Sequence, residues 1–393
     1  MQLNNEFEGV LSRLIDKFDD QLVESLDAGN SICDPIVLGF IRDSGVLPFL
    51  KQAVEQGNAI NYLARATFLA STKCCNLRNI FLVSFGMVGE ILRCCSFDSK
   101  LARVQLDSIL RGKEVGALAV TEASGGTDYT KYKTTITHGP DGSLILNGSK
   151  TWITFGACCD FYVVQCEFDG VVRMVLVNAN SPGVNREPIL ALVGNRGSGV
   201  GSVIFKNVIL TESQMLPLKI RRQSNNSPNG TLDLDPRDVG FKVGRLIASA
   251  SGLGLGTSCL DRTIRELRSR KSFGYSVIDQ AGWKARLSHL VNDRNVLRSA
   301  IFHSLEHYEE QLFSHFDHWT PLKIKATEFA KNSSQLFMEA SGSRGYVDSH
   351  SSNRYVREAF SFDFIEGATE PLKMKSFLDF QKEMLLGKIY DFI

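Results

Sequence analysis

The 393-residue chain carries almost no excess charge of either sign: 44 Lys and Arg stand against 43 Asp and Glu, leaving +1. That removes the electrostatic case for nucleic acid or an anionic membrane as a partner. Long hydrophobic runs are missing too. The most apolar stretch, "NIFLVSFGMVGEIL", is too short to span a bilayer and contains Glu90, so it reads as a buried helix. The opening "MQLNNEFEGVLSRLIDKFDD" is polar and acidic, without signal or transit character, and a cytoplasmic protein is expected. No CxxC occurs, which argues against a zinc ribbon or a thioredoxin-type motif. The nine cysteines include three adjacent pairs, and neighbouring cysteines rarely bridge each other. They read as reduced and mostly buried. No internal repeat is visible.

What is present is an ordinary globular composition, 43% apolar and 22% charged, with length enough for two or three domains. Residues 1–115 read as a helical domain. Phe7, Val10, Leu11, Leu14, Ile15 and Phe18 share one helix face. Residues 116–220 change period to short runs rich in Val, Ile, Thr and aromatics, separated by turns such as Pro140-Asp141-Gly142 and Ser181-Pro182-Gly183. They predict an antiparallel sheet, a small barrel or sandwich. Residues 221–393 form a C-terminal helical unit, opened by a polar loop over 221–240. The fold class is α+β, in the order helix, β, helix bundle.

Several motifs fail on context. "GLGLG" (252–256) has Thr257 where a dinucleotide loop needs a third glycine, and no strand precedes it; close helix packing is the expected role. "HSLEH" places His303 and His307 at i, i+4, with His315 and His318 nearby, but the segment is too polar for anything but a solvated helix. "ASGSRG" follows a helix, so it is no nucleophile elbow. Two stretches are stronger. In "TEASGGTD" a strand runs into a Gly-containing turn that exposes N–H groups, and Trp152 in "LNGSKTWITFG" offers a flat face for a planar ring. In "SFDFIEGATEP", Glu366 stands alone in an apolar run. It fits either a helix end capped by Gly367 or a general base with a raised pKa.

Taken in order, "TEASGGTD" (121–128), "LNGSKTWITFG" (146–156), "GNRGSGVGSVIFKNVIL" (194–210), "RKSFG" (270–274) and "REAFSFDFIEGA" (357–368) resemble the motifs of the acyl-CoA dehydrogenase family. Those motifs read TEPxAGSD, LNGxKxWITN, LGxRGS, RxxFG and RDAxxxxIYEGT. The resemblance spans residues 116–380 and implies an N-terminal helical domain, a central β-barrel or sandwich and a C-terminal four-helix bundle. It implies FAD, and a homotetramer or homodimer. Val120 and Thr121 would meet the pyrimidine side of the flavin and Thr127 the pyrophosphate region. Trp152 would pack on the ring system and Thr154 would hydrogen-bond at N5. Arg270, Phe273 and Gln280 would reach the FAD of a neighbouring subunit, with Glu339 and Gly342 near the pyrophosphate.

Glu366 falls on the family's catalytic base, with its apolar sequence neighbours supplying desolvation. In the implied reaction it takes the α-proton of an acyl thioester while hydride leaves the β-carbon, and the Glu366 N–H helps hold the thioester carbonyl. Gly367 and Arg245 fall on the substrate side. Some relatives carry the base on an earlier helix, at the position matching Gly244. Two departures stand out: Ala368 replaces a Thr, and Glu339 replaces a Gln, which calls for Arg344 or Arg270 as compensation near phosphates. CoA thioesters and acyl groups on carrier proteins of polyketide or nonribosomal pathways are both open as substrates, as is the electron acceptor. An oxidase of the same fold and a non-catalytic scaffold are the alternatives.

Overall fold

The computed structural model describes residues 2–125, 132–223, 231–314 and 317–385. Thr127 and His315 lie outside them. Helices α1 (Gln2–Lys17), α2 (Asp20–Asp27), α3 (Pro35–Asp43), α4 (Val46–Glu55) and α5 (Ala59–Ser71) open the chain. Phe7, Val10, Leu11 and Leu14 of α1 are buried, as the 3.6-residue spacing requires, with Phe18 just past its end buried beside them and Ile15 packed at their edge.

A continuous helical run follows: α6 (Cys75–Asn79), a π-helical segment (Ile80–Val88) and α7 (Gly89–Cys95). At 21 residues it is long and apolar enough to cross a bilayer, more than the sequence stretch suggested, but its apolar window is wholly buried inside the protein. It is a core helix. The wider π turns were not foreseen, because a run buried on every side shows no hydrophobic period to read. Helix α8 (Lys100–Leu110) completes the series, capped by Ser99 Oγ accepting from Ala102 N at 3.2 Å.

The chain then turns to strands: β1 (Gly116–Ala119), β2 (Thr135–His138), β3 (Leu144–Ile153), β4 (Phe161–Phe168), β5 (Val171–Asn178), β6 (Val184–Pro188) and β7 (Gly201–Leu210). They form one sheet in the order β1-β4-β2-β3-β7-β6, with β5 paired to β4. The sheet is mixed rather than antiparallel: β1 runs parallel to β4, and β2 meets β4 in parallel at Thr135↔Glu167. Strand direction is set by where the chain returns, which local pattern does not carry.

The expected loop over 221–240 is likewise corrected. A hairpin of β8 (Ile220–Gln223) and β9 (Thr231–Leu234) occupies it, with Ile220 opposite Leu234 and both buried. Helix α9 (Pro236–Ser269) starts inside the same stretch, with proline in its first turn and Asp235 as N-cap. After the short hairpin β10 (Lys271–Ser272) and β11 (Tyr275–Ser276) come α10 (Ala281–Glu306), α11 (Tyr308–Phe313), α12 (Trp319–Ala340), α13 (Ser351–Ser361) and α14 (Thr369–Leu385). The "GLGLG" glycines lie within α9 and do pack helices closely. A Cβ on Gly252 would lie 2.8 Å from Ala326 O of α12, one on Gly254 would collide with Phe68 O of α5, and one on Gly256 with the Phe329 ring.

Candidate active site

Glu366 lies in the turn between α13 and α14, with a left-handed φ of +53°. Such a conformation is unfavourable for a residue with a Cβ and persists where the surroundings enforce it. Gly367, at φ +99°, continues the turn in a region glycine tolerates. The turn is tied down from α12. Lys323 Nζ donates to Gly367 O at 2.8 Å and to Thr369 Oγ1 at 3.3 Å, and Thr369 N donates to Asp363 O at 2.9 Å. The Glu366 side chain folds back against α9. A Cβ placed on Gly244 would lie 2.5 Å from Glu366 Oε2 and 3.0 Å from Met87 Cε. Glycine at 244 therefore makes the space that the carboxylate fills, and Met87 of the π-helical segment walls it.

The expected source of desolvation needs correcting. Phe362 is buried and Ile365 packs against its cluster, but Phe364 is 75% exposed and Phe360 41%, so these two turn away from the carboxylate. Its shell is built by α9, α12 and the π segment, distant in sequence. Burial there pushes the Glu366 carboxyl up to about 7, against the pull of Lys323, Arg245 and Arg78. Among the described residues none hydrogen-bonds this carboxylate. Its backbone N–H likewise donates to no main-chain carbonyl among them.

Three buried cations frame the site. Lys323 is 1% exposed, and burial lowers its pKa to about 8 against the attraction of Glu366 and Asp363. Arg245, one residue past Gly244, donates from Nη1 to Asp317 Oδ2 at 2.9 Å. Asp317 also accepts from Lys375 Nζ at 2.9 Å and Thr320 Oγ1 at 2.7 Å. Burial opposes its ionisation, but Arg245 and Lys375 hold its pKa at about 2. Among the described residues Arg245 Nε is buried without a partner, a donor left over for a ligand. Arg78 is fully buried and bonded to Cys75 O, Ser251 Oγ and Asn195 Oδ1 at 3.1–3.2 Å.

On the sheet side, Val120 and Thr121 follow β1 directly and lie beside β3: Thr151 N donates to Thr121 O at 2.8 Å, and Lys150 Nζ to Val120 O at 3.0 Å. Trp152 is no core residue. It sits at φ +57° with 61% of its surface exposed, at the end of a strand whose neighbours Ile153 and Phe155 are buried. Thr154, two residues on, is half-buried. The turn before the undescribed 126–131 stretch is fixed by Glu122, which sequence reading passed over. Its carboxylate accepts from Lys150 Nζ at 2.9 Å, Lys133 N at 2.8 Å and Thr134 N at 3.0 Å. Burial resists its charge, but the hydrogen bonds from Lys133, Lys150 and Thr134 hold its pKa at about 2. β1 packs towards α9, since a Cβ on Gly240 would touch Leu118 at 3.5 Å. Gly240 lies four residues before Gly244, about one helical turn.

The remaining candidates gather at the far end of α9. Arg270 Nη1 donates to Ala340 O at 2.5 Å, and a Cβ on Gly342, at φ +61°, would lie 3.2 Å from the Arg270 guanidinium. Phe273, at φ +51°, is 95% exposed, and Gln280 is exposed at the start of α10. Glu339 is not balanced by Arg344 or Arg270. Arg344 pairs with Glu266, and Glu339 pairs with Arg286 of α10 at 2.6 Å. His303 and His307 meet with their rings tilted, 4.4 Å between centroids, and no metal-binding group of His, Cys, Asp or Glu is found among the described residues.

Sequence reading missed Lys323, Arg78, Asp317 and Glu122. Lys150 and Glu122 stood inside quoted motifs, so a paired-charge reading would have found them. Lys323 left a weaker trace, a cation between Leu322 and Ile324 in a helix.

Residues 117–208 match the model of the acyl-CoA dehydrogenase middle domain, and residues 238–375 that of the acyl-CoA dehydrogenase C-terminal domain, together more than half of the chain. The chain is 23% identical over 275 residues to a protein named isovaleryl-CoA dehydrogenase, mitochondrial, from Oryza sativa subsp. japonica, a match covering 68% of this chain and 64% of the rice protein's length. The fold is similar to butyryl-CoA dehydrogenase of Megasphaera elsdenii, with a TM-score of 0.83 and 18% identity, covering 95% of this chain and 97% of that one. It is also similar to the prolyl acyl carrier protein oxidase AnaB, with a TM-score of 0.79 and 19% identity, covering 96% and 98%.

Proposed function

Because this chain belongs to the acyl-CoA dehydrogenase family, we propose that it is a FAD-dependent dehydrogenase of acyl thioesters in which Glu366 removes the α-proton. One observation carries the reading: a lone carboxylate, without a hydrogen-bond donor among the described residues, fills the space left by Gly244 beside Met87, where burial pushes its pKa up to about 7. An α-proton beside a thioester is weakly acidic. A carboxylate at its ordinary pKa is too weak a base, whereas one near 7 is matched to the task.

The residues present fit a flavin. Trp152 is held in a strained conformation with its ring exposed, which a merely structural tryptophan does not need. Thr121 and Thr154 flank it in the chain and across the strand pairing. Glu339, the one charge that argued against a bound phosphate, is already neutralised by Arg286. In this reading Val120, Thr121, Trp152 and Thr154 hold the ring system, with Thr127 extending the set. Arg270, Phe273, Gln280 and Gly342 hold the adenosine half from a neighbouring subunit. Bound FAD supplies a two-electron acceptor for the β-hydride. The Glu366 N–H, free of main-chain acceptors among the described residues, would hold the thioester carbonyl, and Gly367 would let the backbone approach it. Arg245, whose Nε has no partner among the described residues, would serve the substrate side.

The acyl group is carried on CoA or on an acyl carrier protein; the likeness to a prolyl acyl carrier protein oxidase supports keeping the second carrier in view. Anaerobic bleaching of the flavin by panels of acyl-CoA and acyl carrier protein thioesters tests both. In Glu366→Gln, FAD content is expected to stay and bleaching to slow by about 10²–10⁴-fold. Undiminished bleaching in that variant overturns the assignment.

A further inference from the structure

Seven of the nine cysteines are buried; the other two, Cys33 and Cys158, are half-buried and face each other. Their Sγ atoms lie 2.7 Å apart although 125 residues separate them. Cys33 sits in the connection between α2 and α3, and Cys158 in the turn between β3 and β4. Both line a cavity of about 470 Å³ with Leu22, Ser31 and Val37.

The two carriers are pinned to the same strip of backbone. Ile32 N donates to Gly197 O at 2.8 Å, and Ala157 N to Gly199 O at 3.0 Å. Gly199 is required there, because a Cβ on it would collide with the Cys158 sulfur. The sulfurs are thus already opposed across two segments that the backbone hydrogen bonds hold together. The remaining cysteines are packed in the core, where thiols are inert.

We propose that Cys33 and Cys158 form a redox pair that a peroxide entering this cavity converts to a disulfide, stapling the N-terminal helices to the turn that follows Trp152 and Thr154. The neighbouring Cys33 thiol holds the Cys158 thiol below its ordinary pKa, with burial opposing and Ser31 and Arg186 assisting. Arg186, whose Nη1 donates to Cys159 O at 2.9 Å, sets a cation at the same turn, so Cys158 is taken as the attacking sulfur. Its thiolate attacks one oxygen of hydrogen peroxide; the O–O bond breaks and the departing hydroxide takes up a proton to leave as water. The resulting sulfenic acid is attacked by the Cys33 sulfur, which gives up its proton; the S–O bond breaks and a second water leaves. Two thiols and one peroxide yield one disulfide and two waters, with two electrons passing from sulfur to oxygen. A dithiol reverses the bond by exchange. The inference is independent of Glu366 and of the flavin.

The test is peptide mapping of the full-length protein after hydrogen peroxide, alkylation and digestion without reduction. A cross-linked peptide joining Cys33 to Cys158 is expected, with two of the nine thiols lost and both restored by dithiothreitol. Cys33→Ser should trap Cys158 as a dimedone-reactive sulfenic acid without cross-link. Cys158→Ser should leave Cys33 alkylatable. Oxidised wild-type protein should melt at a higher temperature than the reduced form, a shift that Cys33→Ser lacks. If both thiols of the oxidised wild type stay alkylatable, if Cys158 passes to sulfinic acid with no cross-link, or if the bond forms elsewhere, the proposal is wrong. The wild-type map decides even if a serine variant fails to fold.

Discussion

Glu366 changes its charge across the neutral range, so proton abstraction by it is a function of pH. In the proposed role the anion would be the base, and the rate of flavin bleaching should rise with pH through a midpoint near 7 and then level. Stability runs the other way. A carboxyl whose folded pKa is raised above 4.5 favours folding most at low pH, and that contribution is lost as pH climbs through 7. Lys323 tunes the midpoint: its charge draws the carboxyl down, so Lys323→Met should move the bleaching profile to higher pH, by roughly one unit. A variant that merely loosens the Gly367 turn would lower the plateau without moving the midpoint, and a pH series separates the two. Gly244→Ala should displace the carboxylate, since its methyl group would sit 2.5 Å from Oε2. Normal FAD content with bleaching slowed about tenfold or more is expected; unchanged bleaching would show that the space is not needed.

At the scale of elements, the turn after β1 depends on a buried ion pair. Removing one partner of such a pair leaves an uncompensated charge and costs about 3–5 kcal/mol. Glu122→Gln should therefore lower the unfolding free energy by that order in denaturant titration, and Glu122→Gln with Lys150→Met should recover part of it. The pair also predicts acid sensitivity: its stabilisation is present above pH 4.5 and lost as pH falls toward 2. Which elements the sequence foretold follows from physics. The face of α1 and the change of period near residue 116 were legible, because both are local; the start of α9 was not, since Asp235 and Pro236 sit in a stretch that read as loop. The β8–β9 hairpin was hidden in a polar stretch, with the buried Ile220 and Leu234 facing each other at its open end. The parallel pairing of β1 with β4 and the walls around Glu366 were not legible, since both depend on segments over forty residues away. The nearest aromatics proved a poor guide to what desolvates the carboxylate, and Arg286 was the partner of Glu339 that spacing gave no reason to choose.

At the scale of the whole molecule, apolar surface is left uncovered in particular places. Phe273 and Tyr275 stand out on the β10–β11 hairpin, and Met374, Phe377, Leu378 and Phe380 on α14 are each about half exposed. Patches of this kind mark association surfaces, in keeping with the proposed oligomer. Arg270→Ala is expected to lower FAD content and loosen the assembly together, read from the flavin-to-protein absorbance ratio and from light scattering on a sizing column. A fully loaded, intact oligomer would count against a cofactor site shared between subunits. The backbone at Gly244 carries a consequence for ancestry as well. A side chain rooted there would start against the carboxylate of residue 366, so the proposed proton acceptor has an address in space that two remote stretches of polypeptide can reach. Descent can hand the duty between a helix and a turn while the ligand keeps its pose, and aligned columns then report a loss where the molecule has lost nothing.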